Sequence, residues 1–361
     1  MTQEFLPDEV WKKIQAHEEQ EKVRIAQFGE VREPIAVDFL GYKMVVAGGR
    51  IHYAPVSKWR TVPDFLFEYL PMTLGKEWGQ VELSKPYEKQ HPIVQWRTRA
   101  IEYMRQEEQK GQNPEGFYET IPNGYMAAFL ALAYDLHVVH DNGRLDDELL
   151  RRLKHIDQFQ GARHELFAEA ICLRAGFTIE HEDEKDRTKR HAEFIATHKQ
   201  IGQKVSVEAK SKHRPGVLGR PGSPESEDEL NLRFGELLND AINKKPPYPL
   251  VIFLDTNLPP AVAGQFFRPS SMDPYAPPIL MQRLIDHVQK EHGGWDPYNL
   301  LVFTNHPHHY GREDEADPRK HILSVIPLKP IKPAQHLNAV ISIHEGAGKY
   351  GNIPNEFPKQ E

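Results

Sequence analysis

The sequence runs Val205-Ser206-Val207-Glu208-Ala209-Lys210 near the middle of the chain. Apolar residues at every second position are typical of a half-buried strand, whose side chains alternate between two faces. We therefore expect the valines and Ala209 to face a core, with Glu208 and Lys210 about 6.6 Å apart on the other face. The same acid–x–lysine spacing at 108–110 and 183–185 lies in wholly polar runs, where a solvated surface is the better interpretation.

Upstream of this strand, the pattern predicts a helix over 163–175 that ends at Gly176, a suitable C-terminal cap, and leads into a short strand over 177–180. A further strand is predicted over 191–198. It is joined to the strand over 204–211 by a turn short enough for an antiparallel hairpin.

Downstream, apolar periodicity predicts alternating helices and buried strands, at 228–243, 249–254, 280–289 and 300–303. The resulting order, α-β-β-β-α-β-α-β, predicts an α/β fold with a mixed central sheet flanked by helices. The preceding region is mostly helical with a small β-hairpin or meander. We expect three parts, an N-terminal domain over 1–157, the α/β domain over 158–345, and a loose tail over 346–361.

Several carboxylates are expected near Glu208. Glu193 lies on the neighbouring predicted strand, and Glu165 and Glu169 share one face of the preceding helix at i, i+4. Carboxylate oxygens are the ligands that Mg²⁺ prefers, and a few of them suffice because this ion keeps several waters. The alternative for Glu208 and Lys210 is an ordinary ion pair on a half-exposed strand.

With these motifs, residues 158–306 resemble the PD-(D/E)xK, or restriction-endonuclease-like, nuclease superfamily. The resemblance rests on His164-Glu165-Leu166-Phe167-Ala168-Glu169, the Gly176-Phe177 turn, Ala192-Glu193-Phe194-Ile195 and Val207-Glu208-Ala209-Lys210. It implies a restriction-endonuclease-like αβββαβ core. Glu193 stands where the family usually has Asp.

By the same resemblance, Mg²⁺ or Mn²⁺ would be held by Glu193, Glu208, the carbonyl of Ala209 and Glu165, with Glu169 as second choice for the helix-borne acid. Lys210 would orient the attacking water or stabilise developing charge. The chain is then expected to be a metal-dependent endonuclease acting on DNA, with a role in defence or repair. The alternative is a protein that binds nucleic acid or another partner without cleavage, on a degenerate nuclease scaffold.

Positive charge is concentrated around this site. Ten Lys/Arg and three Asp/Glu lie between Lys185 and Arg220, within a chain of net charge −7. Such a run is often only a solvated face, but its overlap with the acidic motifs favours a surface that follows phosphates. We expect nucleic-acid contacts from these residues: Lys189, Arg190, Lys212, Arg214 and Arg220.

The cysteine content and the distribution of apolar residues indicate where in the cell the protein is expected. A single cysteine, Cys172, is expected to be buried and inert, and together with the absence of a signal-like or membrane-spanning run it favours the cytoplasm. A homodimer is expected if both strands of a duplex are cut.

Other motifs are weaker. The segment His306-Pro307-His308-His309 is better interpreted as a polar loop than a zinc site, and Asp255-Thr256-Asn257 as a turn or cap. No nucleotide-binding glycine loop or serine-hydrolase motif is present.

Overall fold

A computed structural model of the chain describes residues 8–111, 119–181, 192–218, 220, 222–223, 232, 234–268, 276–310, 321–330 and 337–358. Within these ranges the protein is α/β, with eleven α-helices, a three-stranded antiparallel sheet and a six-stranded mixed sheet. The helices in this part of the chain are all too short or too polar to cross a bilayer.

The first region is mostly helical, as the sequence predicts. Its elements are α1 (Asp8–Phe28), β1 (Ile35–Phe39), β2 (Tyr42–Ala47), β3 (Arg50–Pro55), α2 (Val62–Leu74), α3 (Lys76–Leu83), α4 (Pro92–Glu108), α5 (Gly124–Asn142) and α6 (Asp147–Leu153). Strands β1–β3 form an antiparallel meander. Helix α2 begins with a capping box, in which Thr61 accepts the Asp64 N–H and the Asp64 carboxylate accepts the Thr61 N–H.

The second region contains the large sheet. Its elements are α7 (Ile156–Arg174), β4 (Phe177–His181), β5 (Phe194–His198), β6 (Lys204–Ser211), α8 (Phe234–Asn243), β7 (Leu250–Asp255), α9 (Pro260–Phe267), α10 (Ile279–His292), β8 (Leu300–Thr304), β9 (Ile322–Val325) and α11 (Leu337–Gly348). The strands lie in chain order, β4 to β9. The β6–β7 and β7–β8 pairs are parallel, and the other pairs are antiparallel.

The two faces of this sheet are covered by different helices. On one face, Val205 and Val207 pack with residues of α7 and α11. On the other, Ile252, the register partner of Glu208, packs with residues of α8 and α10. The sheet is therefore the middle of three layers, and the two faces of β6 look into different surroundings.

Helix α7 belongs to both regions. Its residues Phe159 and Leu166 pack into the core of the N-terminal region, whereas Phe167 and Ile171 pack against the sheet. The helix begins at Ile156, so the boundary predicted between residues 157 and 158 falls inside it. Every residue from Ala162 to Arg174 is buried, because the N-terminal core packs on one side of the helix and the sheet on the other.

A buried charge cluster ties the C-terminal segment to the two regions. Asp135 on α5 lies 3.0 Å from Arg163 Nη1 and 3.6 Å from Arg174 Nη2, and all three side chains are buried. Arg163 donates to the Tyr350 hydroxyl at 2.8 Å, and that hydroxyl lies 3.5 Å from Asp135 Oδ2.

Contacts of the segment after α11 continue beyond Tyr350. Asn352 donates to the Gln27 carbonyl, and Phe357 packs against the N-terminal core. The loose tail expected over 346–361 is thus replaced, as far as residue 358, by α11 and a docked segment. The reason is that Tyr350 supplies a hydrogen bond to two charges that have no access to water.

Candidate functional site

The first part of the candidate site lies on β6. Glu208 is fully buried and Lys210 half-buried, and the Lys210 Nζ lies 2.9 Å from Glu208 Oε2. The alternation predicted from the sequence is confirmed, because the valines of β6 pack under α7 while these two polar side chains share the opposite face. Ala209, between them, pairs in register with Phe253 of β7.

Glu193 joins the same group from the neighbouring strand. Its Oε1 lies 3.0 Å from Lys210 Nζ, and its backbone N–H donates to the Val207 carbonyl at 3.1 Å. The sequence predicts a strand over 191–198, but β5 begins at Phe194, and residue 191 lies outside the described residues. Glu193 therefore stands one residue before the regular strand, where its carboxylate still reaches β6.

A second lysine completes the group, and no sequence pattern singles it out. Lys244, the residue after α8, has its Nζ 3.0 Å from Glu208 Oε1 and 3.6 Å from Glu193 Oε1. Helix α8 packs on the Glu208 face of the sheet, which brings its C-terminal end to the carboxylates. We call Glu193, Glu208, Lys210 and Lys244 the acid–lysine quartet.

The quartet is electrostatically coupled. Burial opposes ionisation of Glu193, but the charges of Lys210 and Lys244 outweigh it and the pKa of this carboxyl is lowered. At Glu208 burial is the stronger effect and raises the pKa, although Lys210 partly offsets it. Burial would lower the pKa of Lys210, yet the two carboxylates raise it. With two carboxylates and two ammonium groups ionised, the quartet has no net charge.

The helix-borne acids lie on the α7 side and form a separate group. Glu165 Oε2 forms an ion pair with Arg152 Nη1 at 2.7 Å, and Glu169 Oε1 lies 3.6 Å from His181 Nε2. One ligand atom from each of Glu165, Glu169 and His181 lies within 4.8 Å of the other two. We call these three residues the acid–histidine cluster. Its imidazole was not anticipated from the sequence, since His181 lies 12 positions beyond Glu169.

Burial, followed by the nearby charge of Glu165, raises the pKa of Glu169 well above its ordinary value. The charge of Arg152 acts to lower the pKa of Glu169. It also acts to lower the pKa of Glu193 in the quartet, where burial and the two lysines have larger effects. The predicted acids thus occur in two groups, Glu193 with Glu208 and Glu165 with Glu169, which share the electrostatic influence of Arg152.

The residues predicted to contact nucleic acid have different environments. Lys212 and Arg220 are half-buried in the loop after β6. Arg214 is 1% exposed, and its guanidinium donates to the carbonyls of Asn257 and Thr256 at 2.6 and 3.2 Å. Its charged group therefore holds this loop against the end of β7 instead of lying on the surface. Lys189 and Arg190 lie outside the described residues.

The end of β7 forms a turn, in agreement with the sequence. The Asn257 N–H donates to Asp255 Oδ1 at 3.3 Å, Ser211 Oγ donates to Asp255 Oδ2 at 2.8 Å, and Asn257 has a positive φ of 44°. The histidine segment differs from the expected polar loop. His306 and His309 are buried, and the His309 ring stacks on Trp96 with 6.4 Å between centroids.

Comparison of the chain with models of protein families, with curated proteins and with solved structures finds no match. The two groups themselves are therefore the basis on which a function can be inferred. The quartet brings two carboxylates together in a buried position where they already attract cationic groups, and the acid–histidine cluster offers oxygen and nitrogen donors to a second centre.

Proposed function

We propose that this protein is a metal-dependent nuclease that hydrolyses phosphodiester bonds in DNA. The observation that carries the proposal is the acid–lysine quartet, in which Glu193 and Glu208 from neighbouring strands share the ammonium groups of Lys210 and Lys244 at 2.9–3.6 Å. Two carboxylates this close, on a buried face, form a centre for a hard cation.

The order and pairing of the surrounding elements support the same proposal. Helix α7 is followed by three antiparallel strands, β4–β6, then by α8 and by β7, which is parallel to β6. This is the αβββαβ order that the resemblance to the PD-(D/E)xK superfamily leads us to expect. The acids and the lysine stand at the positions where that family has its motif.

The residues fit a divalent cation. Glu193 and Glu208 supply carboxylate oxygens, and the Lys244 ammonium lies within 3.6 Å of both carboxylates, which marks a place where positive charge is stabilised. Mg²⁺ or Mn²⁺ would be held by Glu193, Glu208 and the Ala209 carbonyl, with Glu165 or Glu169 assisting from α7. Such an ion supplies a water that is nucleophilic near neutral pH and neutralises charge on the phosphate.

The chain's own groups then have distinct roles. Lys210 keeps its proton, since two carboxylates raise its pKa, so it acts as a fixed positive charge beside the scissile phosphate and orients the attacking water. Within the described part of the chain, Lys212 and Arg220 in the loop that follows β6 would contact the nucleic-acid backbone.

The competing proposal is a protein that binds nucleic acid or another partner without cleaving it. One observation favours it, namely that Lys244 brings the quartet to zero net charge without any metal ion. A divalent cation that binds both carboxylates must then displace this ammonium.

Cleavage of supercoiled plasmid in Mn²⁺, together with Mn²⁺ titration calorimetry, distinguishes the two proposals. The nuclease proposal predicts nicking by the parent protein, loss of nicking in Lys210→Met with metal binding retained, and loss of both in Glu208→Gln. Glu180→Gln, at an exposed glutamate of β4, is the matched control and should behave like the parent. Retarded migration of DNA with no nicking by any variant would support binding without cleavage.

A further inference from the structure

The small β1–β3 sheet has two apolar faces. The inner face packs on α2, with Val45 and Ala47 almost completely buried. Pairing register places three rows of side chains across the outer face, and the first row is Ile35, Val46 and Ile51. The second row contains Val37 and Tyr53 on either side of Met44. An antiparallel sheet with one solvated face normally alternates apolar and polar residues, and this one does not.

The outer face is exposed in the described part of the chain. Phe39, in the third row, is 60% exposed, Ile51 62% and Tyr53 72%, and Leu40 in the adjacent turn is 82% exposed. Scattered exposed apolar side chains are common, but a continuous patch of this extent is typical of an interaction surface.

The chemistry of the face restricts its occupant. The Tyr42 and Tyr53 hydroxyls are its polar side-chain groups. By register, the charged residues of these strands, Asp38, Lys43 and Arg50, are on the inner side, where Lys43 Nζ lies 2.6 Å from Asp38 Oδ1. A face without charge does not attract a polyanion or an acidic peptide. It is complementary to an equally apolar face, and aromatic residues of this kind commonly dominate the energy of protein interfaces.

The size of the face agrees with a homodimer. Its three aromatic side chains, of roughly 150–250 Å² each and 49–72% exposed, together with five aliphatic side chains that are 45–82% exposed, give a patch of roughly 900 Å² per chain. A stable specific interface buries about 800 Å² on each partner. A two-fold axis that lies between the two copies, parallel to both sheets, would place the rows of one outer face against the same set of rows in the other copy, which gives a closed interface.

We propose that the outer face of β1–β3 is a dimer interface and that its occupant is a second copy of this chain, packed sheet against sheet. The inference does not depend on nuclease activity. It rests on the register of these three strands and on the exposure and lack of charge of their outer face.

Sedimentation equilibrium of the full chain over a wide concentration range tests this proposal. The parent protein should have the mass of two chains, and Ile51→Glu should raise the dissociation constant by at least about 100-fold, because it places a charge in a desolvated interface. Ile285→Glu, at a 47% exposed position of α10, is the matched control and should remain a dimer. Phe39→Ala, which adds no charge, should weaken association with unchanged circular dichroism.

Three outcomes would overturn the proposal. The parent could have the mass of one chain at its highest soluble concentration. Dimers could persist unchanged in both Ile51→Glu and Phe39→Ala. The parent could also be a monomer that sediments with vesicles of neutral phospholipid, which would make the face a membrane-contacting surface.

Discussion

The ammonium of Lys244 lies 3.0 Å from Glu208 Oε1, and that of Lys210 lies 2.9 Å from the other oxygen of the same carboxylate. The two lysines come from different elements, one from β6 and the other from the end of α8. Glu208 is fully buried, so these charges replace the water that would otherwise solvate its carboxylate. The ionised form of Glu208 therefore depends on both lysines.

Lys244→Met should destabilise the metal-free protein and strengthen metal binding. Without this ammonium the quartet has a net charge of −1. In EDTA we expect the free energy of unfolding to fall by about 2 kcal/mol, which is less than for a fully buried pair because Lys244 is partly exposed. Added Mn²⁺ should recover most of this loss in thermal unfolding. Lys290→Met, at a surface ion pair, is the matched control and should change neither quantity. Unaltered Mn²⁺ affinity in Lys244→Met would argue against a cation between the carboxylates.

Tyr350→Phe should lower the free energy of unfolding by about 1–3 kcal/mol, since it removes a hydroxyl that serves two buried charges and leaves the ring in place. Urea unfolding followed by circular dichroism measures the change. A stability equal to that of the parent would mean that the Arg163–Asp135 pair does not use this hydroxyl.

Asp255→Asn should remove one component of the pH dependence of stability. Burial raises the pKa of Asp255 from 3.8 to about 6, against the hydrogen bonds it accepts. Between these values the folded protein keeps a proton that the unfolded chain has released, so this group's contribution to stability is lost as the pH rises.

Relative to Asp255→Asn, the parent should therefore lose about 3 kcal/mol of stability from about pH 4 to about pH 7. Urea unfolding at intermediate pH values checks this. Parallel curves for the two proteins would show that Asp255 ionises normally.

Gly29→Ala and Gly41→Ala form a matched pair. Both glycines have a positive φ, 90° and 82°, but a Cβ at residue 29 would lie 2.5 Å from the Arg174 carbonyl oxygen, whereas residue 41 has nothing within 4 Å. Backbone strain alone should cost about 1–2 kcal/mol in each, and the clash should make Gly29→Ala clearly the less stable. Thermal unfolding compares them. Equal losses would show that α1 and α7 can separate at this contact without cost.

The sequence was most informative where local periodicity determines the structure. Alternation along 204–211 correctly put Glu208 and Lys210 on one face, and the short turn before it correctly predicted the β5–β6 hairpin. Gly176 was identified as the end of α7, and it has the positive φ, 84°, that this position requires. These features depend on neighbours within a few residues.

Features that depend on distant residues were not accessible. Lys244 looks like an ordinary charge after a helix, and only the packing of α8 on the sheet brings it to Glu208, 36 positions earlier. The loop that carries Arg214 has the composition of a phosphate-binding loop, yet the Arg214 guanidinium donates to carbonyls at the end of β7. The α7 acids have partners of their own, Arg152 for Glu165 and His181 for Glu169, which a pattern of single elements does not reveal.

The contact of Tyr350 with Arg163 also bears on folding during synthesis. During synthesis, α5 and α7 leave the ribosome before residue 350, so Asp135 and its arginines are made before their last partner. The buried charge cluster can therefore be completed only after Tyr350 has also left the ribosome.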